Sequence, residues 1–219
     1  MPFNTERNYN LFNNALHLTS TPFRQVSFTT LAEVKIMDIQ LIKTDESQAD
    51  VIANLVPFYI YDLSEHMGWR CPESGHFGGQ DDLPQYWGRP VEPAYAWPDG
   101  SKGSPFTIRV NDELAGFALV KRVGDTSPPH YEIGGFFVLR RFRRQHVGAH
   151  VAHELFAMFP GEWTVGSMVI NTPANRFWAE TVRTYTAGNC RTSEGQDKPW
   201  NIDMIYLHFT SKGAANHRV

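Results

Sequence analysis

Residues 37–209 alternate between two kinds of apolar periodicity, and this alternation limits the fold more than any other feature. MDIQLIK, at residues 37–43, alternates as a strand does, whereas residues 45–63 repeat apolar side chains at helical spacing. A hairpin around the polar turn 111–113 comes next. The later segments predict a strand over 130–139, a helix over 147–159, a strand over 162–170 and a strand over 201–209. Between the last two strands Thr172-Pro173 predicts a helix start, with the threonine hydroxyl at the N-cap and the proline at the first helical position. This order predicts an α/β (α+β) fold with a mostly antiparallel sheet.

Two long segments lie outside this pattern. Residues 1–36 have no clear periodicity, so we expect an N-terminal extension ahead of a single domain over 37–219. Residues 71–104 are rich in Gly and Pro but also carry Tyr86, Trp87, Tyr95 and Trp97. So many aromatic residues favour an ordered, functional loop, with a short helix near 83–87.

The composition excludes several classes of protein. The chain is 42% apolar with a formal net charge of −3, which argues against a general nucleic-acid binder. The sequence lacks an apolar run of the roughly 18 to 20 residues that a membrane span needs, and a basic-then-apolar signal segment. Cys71 and Cys190 are too few for a disulfide framework. We therefore expect a cytoplasmic protein that has neither nucleic acid nor membrane as a partner.

The sequence RRFRRQHVGAH, at residues 140–150, concentrates positive charge between a predicted strand and a predicted helix. Such a junction directs free backbone N–H groups and the positive end of the helix dipole toward one point. Gly148 would let a ligand approach the backbone closely, and Arg143 and Arg144 would supply outer charge to an anion. The pattern is typical of a phosphate or pyrophosphate site, although a solvated surface turn with nothing bound has the same sequence.

Two motifs in this region resemble the GNAT superfamily of acyl-CoA-dependent N-acyltransferases. Residues 143–148, RRQHVG, follow the family's R/Q-x-x-G-x-G/A phosphate motif except at its fourth position, where His146 replaces glycine. Residues 171–178 resemble the N-x-x-A-x-x-[apolar]-[aromatic] signature of the helix after the fifth strand. FYIYDLSEH, FTIRVNDELAGFALVKR and FFVLRRFRRQHVG resemble a branch of acetyltransferases whose substrates are undefined.

This resemblance implies a sheet of six to seven strands, splayed at its centre and flanked by about four helices. The cofactor that it implies is acetyl-CoA or another acyl-CoA, with the pantetheine arm between the parted strands. The implied contacts are backbone groups of Phe137, Val138 and Leu139 for the arm, the amides of Arg144, Gln145, His146, Val147, Gly148 and Ala149 for the pyrophosphate, and Asn171, Ala174, Phe177 and Trp178 beside the thioester.

The reaction needs a group that removes a proton from the acceptor amine. Glu132, on the strand that leads into the arginine-rich turn, is the candidate catalytic base, and a surface charge at a strand end is the alternative. His130, Glu65 and His66 are weaker candidates. In the family a tyrosine often stands where this chain has Trp178, and Tyr185 lies about two helical turns further on.

We expect the acceptor to be an amine of a small molecule or a peptide. Tyr59, Asp62 and Glu65 of the first predicted helix and Trp87 of the long loop are the candidate substrate-binding residues, because acidic groups among aromatic rings suit a cation. The alternative is that Tyr59 packs in the core while the two carboxylates face water.

Three histidines could suggest a metal site, but their spacing does not. His146, His150 and His153 share one face of the helix over 147–159, opposite a predicted buried stripe that includes Met158. This spacing matches no metalloenzyme motif, so we expect a solvated polar face and no metal.

The sequence therefore predicts an N-acetyltransferase. A non-catalytic module that binds or senses acyl-CoA is the alternative, which His146 and Trp178 keep open. The oligomeric state is open too, with a homodimer as one alternative.

Overall fold

The computed structural model describes residues 37–197 and 201–213 of the 219-residue chain, and the predicted extension over residues 1–36 lies outside them. The long elements are β1 (Ile39–Lys43), α1 (Ala49–Met67), β2 (Lys102–Val110), β3 (Glu113–Arg122), β4 (His130–Val138), α2 (Val147–Met158), β5 (Gly161–Met168), α3 (Thr172–Thr186), β6 (Arg191–Asp197) and β7 (Ile202–Ser211). None of the described helices is both long and apolar enough to cross a membrane.

All seven strands belong to one sheet with the order β1-β2-β3-β4-β5-β7-β6. Every neighbouring pair is antiparallel except β4 and β5, which are parallel. This arrangement confirms the predicted fold class. In the described part of the chain three α-helices flank the sheet, where about four were expected, and the long loop contributes only short 3-10 turns such as Leu83–Trp87.

The sheet is splayed between β4 and β5, as the resemblance implied. The two strands pair at only three positions, the last of which joins Glu132 to Thr164. Beyond that point β4 carries a bulge, because the β3 register shifts between Leu119 and Val120 and Gly134 becomes an extra residue. The gap therefore opens immediately after Glu132 and Thr164.

The two faces of the sheet are covered unequally. One face packs on α2 and α3 through a core that includes Phe156, Trp163 and Phe209. The other face packs on α1 through residues such as Ile52 and Phe117, but this second core includes no residue of β5, β6 or β7 among those described. The β5–β7–β6 half of that face is consequently open, and it forms one wall of the candidate site.

The start of α3 differs from the prediction at the N-cap. The side chain of Asn171, not that of Thr172, caps the helix, and its Oδ1 accepts a hydrogen bond of 3.1 Å from the Ala174 amide. Thr172 is instead the first helical residue and is exposed. The capping side chain lies one residue earlier because only from there does it reach the free amide of the first turn.

Replacement of the cap should therefore have a larger effect than replacement of the predicted cap. We expect Asn171→Ala to lower the free energy of unfolding by about 1 kcal/mol, the usual contribution of such a cap. Thr172→Ala is the matched control and should change it by less than half of that. Urea denaturation of both variants measures the difference, and equal losses would contradict the assignment.

Candidate active site

A cleft of about 900 Å³ lies where β4 and β5 separate. The C-terminal half of α1 and the long loop form one wall, and β6, β7 and the first turn of α3 form the other. The charged side chains in its lining are Asp81, Asp82, Lys121, Glu132 and Asp197, and the aromatic ones are Tyr59, Trp69, Tyr95, Trp97, Phe136, Trp178 and Tyr206. Carboxylates thus outnumber the one cationic side chain in the lining by four to one.

The arginine-rich turn brings the N-terminus of α2 to the end of β4. Arg144 and His146 both have left-handed backbone conformations, with φ of 60° and 62°. The amide of His150 donates to His146, so the amides of Val147 to Ala149 precede the first hydrogen bond of the helix. The family motif has a glycine where this chain has His146, and the backbone φ at this position is one that glycine adopts most easily.

Most of the arginines in this turn are already paired. Arg140 and Arg143 both bond to Asp62 of α1, the former at 2.9 Å, and Arg141 bonds to Glu113 at 3.0 Å. The hydrogen bond to Asp62 raises the pKa of Arg140 further above its usual value. Within the described residues Arg144 makes no ion pair, and it is exposed. The charge available to an outside anion is therefore smaller than the sequence indicates.

Gly148 is constrained by neighbouring side chains as well as by any ligand. A Cβ at this position would lie 3.1 Å from the Phe177 ring and 3.6 Å from the Phe136 ring. The two rings stack with their centroids 6.0 Å apart. Gly148 therefore allows α2 and α3 to approach closely, and a substitution there would disturb packing as well as the approach of a phosphate.

The backbone groups of β4 that face the gap differ from the predicted set, which was Phe137, Val138 and Leu139. The amide of Leu139 donates to Ala115 of β3 at 2.8 Å, so alternation along the strand directs the backbone groups of Val138 and Phe136 away from β3. The carbonyl of Val138 accepts a bond of 2.6 Å from Arg143. The Phe137 side chain is buried against α1. Phe136, which the sequence did not indicate, lines the cleft.

Glu132 lies at the closed end of the gap and lines the cleft, as a catalytic base would. Its carboxylate forms an ion pair of 2.8 Å with Lys121 on β3. Across the cleft, burial raises the pKa of Asp197, which Lys121 partly offsets. Burial, followed by the charges of Asp197 and Glu132, raises the pKa of Tyr206. Glu132 is thus one member of a polar group at the end of the gap.

The α3 residues expected beside the thioester do converge on the cleft. Asn171, Ala174 and Trp178 line it, although the side chain of Asn171 is also the helix cap. Phe177, the fourth expected residue, is not part of the lining, and its ring stacks on Phe136 beside Gly148. The Trp178 ring meets Phe136 at 5.0 Å and brings no hydroxyl. Tyr185 does not replace that hydroxyl, because its own bonds to Ser211 at 2.8 Å in the opposite core.

Only one of the four predicted acceptor contacts lines the cleft. Tyr59 does so, and burial together with the charge of Asp82 raises its pKa to about 12. Asp62 is bound by the arginines of the turn, and Glu65 is exposed outside the lining. The indole of Trp87 donates to the Thr44 carbonyl at 3.1 Å, which fastens the loop to the end of β1.

Other parts of the long loop form the wall that these residues were expected to provide. The indole of Trp97 donates to Asp82 at 2.8 Å. Gln85 bonds to the backbone of both Tyr95 and Trp97 at 2.9 Å. These bonds hold Tyr95, Trp97 and Asp82 in the lining. The aromatic content of the loop was the available signal, but it does not indicate which rings face inward.

The histidines of α2 are not equivalent. His146 and His150 are exposed, whereas His153 lies 2.9 Å from the Thr181 carbonyl and packs against α3. The prediction that all three face solvent was therefore wrong for His153, and Met158, expected in the buried stripe, is 44% exposed. No group of three or more metal-binding side chains occurs in the part of the chain that the structure describes.

Comparisons with known proteins agree with this geometry. The model of the acetyltransferase (GNAT) family matches residues 73–181, and no curated protein matches the sequence. The crystal structure of aminoglycoside acetyltransferase AAC(6')-Ib in complex with coenzyme A has a TM-score of 0.50 at 13% identity, over 79% of this chain and 95% of that one. Arabidopsis thaliana Naa50 with the bisubstrate analogue CoA-Ac-MVNAL has a TM-score of 0.50 at 11% identity, over 78% and 98%.

These proteins share a fold with the chain, and the fold is that of acetyltransferases. The chain belongs to the GNAT acetyltransferase family, which confirms the resemblance that the two motifs indicated.

The left-handed backbone of His146 predicts that a substitution there changes the free energy of unfolding. A non-glycine residue in the left-handed region costs about 1 kcal/mol, so His146→Gly should raise the free energy of unfolding by up to about that amount. His146→Ala removes the same imidazole but keeps the cost, and should not stabilise. Thermal unfolding compares the two, and a stabilising alanine would show that the imidazole, not the backbone, is unfavourable.

Proposed function

We propose that the protein is an acyl-CoA-dependent N-acyltransferase that moves an acetyl group from acetyl-CoA to an amine of a small molecule or peptide, by direct attack in a ternary complex. The observation that carries this proposal is the gap between β4 and β5, with the free N-terminus of α2 next to its open end. An extended pantetheine arm suits such a gap, and a pyrophosphate suits such a helix end.

The donor would be held by elements from the centre of the chain. The amides of Arg144 to Ala149 and the exposed Arg144 side chain would bind the pyrophosphate. Val138 and Phe136 would bond the arm through the backbone. Asn171, Ala174, Phe177 and Trp178 would flank the thioester. Support comes from the fold shared with a structure that contains coenzyme A.

The chemistry requires three tasks of this chain. A base must take a proton from the amine, a donor must stabilise the oxyanion, and the thiolate must leave. A backbone N–H near Val138 would serve the oxyanion. Since Trp178 provides no proton, the CoA thiol would leave without an acid, as its acidity permits. Glu132 is near enough to the gap to contact the amine.

The charge of the cleft favours a cationic acceptor. Four carboxylates, those of Asp81, Asp82, Glu132 and Asp197, line it with a single lysine, Lys121. Rings such as Trp69 and Tyr95 would cover the apolar part of the acceptor and contact its charge.

A non-catalytic acyl-CoA-binding module is the second candidate. The absence of a hydroxyl at Trp178 favours it, because the leaving thiolate then has no protein acid at that position. Both functions require CoA to bind, and only the enzyme releases free thiol.

Binding of CoA tests both functions. We expect isothermal titration calorimetry to show a 1:1 complex, which Arg144→Ala weakens about tenfold because a charge-assisted bond to phosphate contributes roughly 1.5–3 kcal/mol. Arg141→Ala is the matched control from the same turn, and its partner is Glu113, so its affinity should match the wild type. Absence of heat with the wild-type protein would contradict both functions.

Thiol release distinguishes the enzyme from the binding module. With acetyl-CoA and a panel of n-butylamine, putrescine and a peptide with a free N-terminus, we expect thiol release that rises with the positive charge of the acceptor. Asp81→Asn should raise the KM for the amine severalfold and leave CoA affinity unchanged, whereas Asp112→Asn, in the distant hairpin turn, should change neither. Tight CoA binding without thiol release from any amine would favour the binding module.

A further inference from the structure

Four polar side chains form a continuous hydrogen-bonded chain across the open face of the sheet. His130 Nε2 lies 2.9 Å from Thr164 Oγ1, which lies 3.0 Å from His208 Nδ1. His208 Nε2 in turn lies 2.8 Å from Ser193 Oγ. These residues belong to four neighbouring strands, β4, β5, β7 and β6, and we call them the His–Thr chain.

Thr164 is the member of the His–Thr chain that lines the cleft. It is the β5 partner of Glu132 at the last paired position before the gap opens. Ser193, at one end of the His–Thr chain, belongs to β6, the edge strand of the sheet. The hydrogen bonds from Thr164 through His208 to Ser193 therefore connect the closed end of the gap to the edge of the sheet.

The bonds are mutually consistent when both imidazoles are neutral. His130 can donate to Thr164, whose hydroxyl donates to His208 Nδ1, while His208 Nε2–H donates to Ser193. The reverse direction is equally complete, because each hydroxyl both donates and accepts. Burial, followed by the charges of Arg191 and His130, lowers the pKa of His208, so its ring is neutral at neutral pH.

We propose that His208 receives the proton of the acceptor amine through the hydroxyl of Thr164. This role rests on the function proposed above. An ammonium N–H would pass its proton to Thr164 Oγ1 while the hydroxyl hydrogen moves to His208 Nδ1. The imidazolium then loses its Nε2 proton through Ser193 to water.

The balance of the reaction is complete without a further reactant. The neutral amine forms the N–C bond to the thioester carbonyl carbon, the C–S bond breaks, and the sulfur leaves with the electron pair. The amine loses two protons in total: the His–Thr chain delivers the first to solvent before the attack, and the second leaves the nitrogen for solvent water once the N–C bond has formed. The thiolate takes up one proton from solvent, so one proton is released per turnover.

His208 suits this role better than Glu132 does. The carboxylate of Glu132 lies 2.8 Å from the Lys121 ammonium, and uptake of a proton there would forfeit that ion pair. Neutral His208 has a hydroxyl hydrogen already directed at its Nδ1 in one of the two arrangements, and protonation forfeits no ion pair among the described residues. The other titratable groups near His208 are Arg191 on β6 and Tyr206 on its own strand. The ring centroids of Tyr206 and His208 lie 6.3 Å apart.

A single isosteric substitution interrupts the His–Thr chain. Thr164→Val removes the hydroxyl, Thr164→Ser retains it, and Thr107→Val is the matched control, since Thr107 and Thr164 are both 9% exposed. We expect Thr164→Val to lower kcat by about 100-fold, the lower end of the usual contribution of a general base, with CoA affinity unchanged. Thr164→Ser should recover most of the rate, and Thr107→Val should equal the wild type.

The pH dependence identifies the proton acceptor. Because the neutral ring accepts the proton and its pKa is lowered, kcat of the wild type should hold down to about pH 6.5 and fall only below it. That acidic limb should disappear in His208→Gln, whose residual rate should not depend on pH in this range.

Two-dimensional 1H–15N spectra of the histidine rings test the His–Thr chain without any substrate. In the wild type we expect the Nδ1 resonance of His208 to show the hydrogen bond to Thr164, and Thr164→Val should shift that resonance whereas Thr107→Val should not. A His208 Nδ1 resonance that Thr164→Val leaves in place would overturn the proposal, as would wild-type turnover that Thr164→Val leaves unchanged. If the wild type binds CoA but releases no thiol with any amine, the proposed function fails and this role fails with it.

Discussion

The short parallel pairing of β4 and β5 is the constraint on which the rest of the structure depends. In a sheet whose other neighbours are antiparallel, these strands share only three paired positions. A parallel connection requires a crossover, which α2 provides, and this places the start of α2 at the open end of the gap. The same pairing fixes Glu132 beside Thr164 at the closed end. One local pairing therefore determines the position of both the free N-terminus of α2 and the polar residues at the closed end of the gap.

The ion pairs of Asp62 fix the position of the arginine-rich turn against α1. This carboxylate joins α1 to the arginine-rich turn through Arg140 and Arg143, and its side chain is 20% exposed. A pair of this kind is costly to break, because loss of one partner leaves a partly buried charge without compensation. The arginines that the sequence associated with a ligand thus stabilise the turn itself, and Arg144 is the member of the cluster available for binding.

Much of the fold followed from periodicity, but the residues that line the cleft did not. The predicted helices and strands from residue 37 onward match β1 to β5, α3 and β7, because each buries an apolar face. β6 was not predicted, since RTSEGQD on an exposed edge has no apolar alternation. The pairing of Asp62 with Arg140 and Arg143 spans about 80 residues and leaves no local pattern. The same applies to the contact of Thr164 with His208.

The internal bonds of the long loop have a consequence for how such a protein diversifies. The hydrogen bonds of Trp97 with Asp82, Gln85 with Tyr95, and Trp87 with Thr44 hold the loop in place beside the sheet. The residues proposed to hold the donor lie on other elements, β4, α2 and α3, and none of these three bonds joins the loop to them. Exchange of the loop as one unit would therefore alter one wall of the cleft and leave the proposed donor contacts in place.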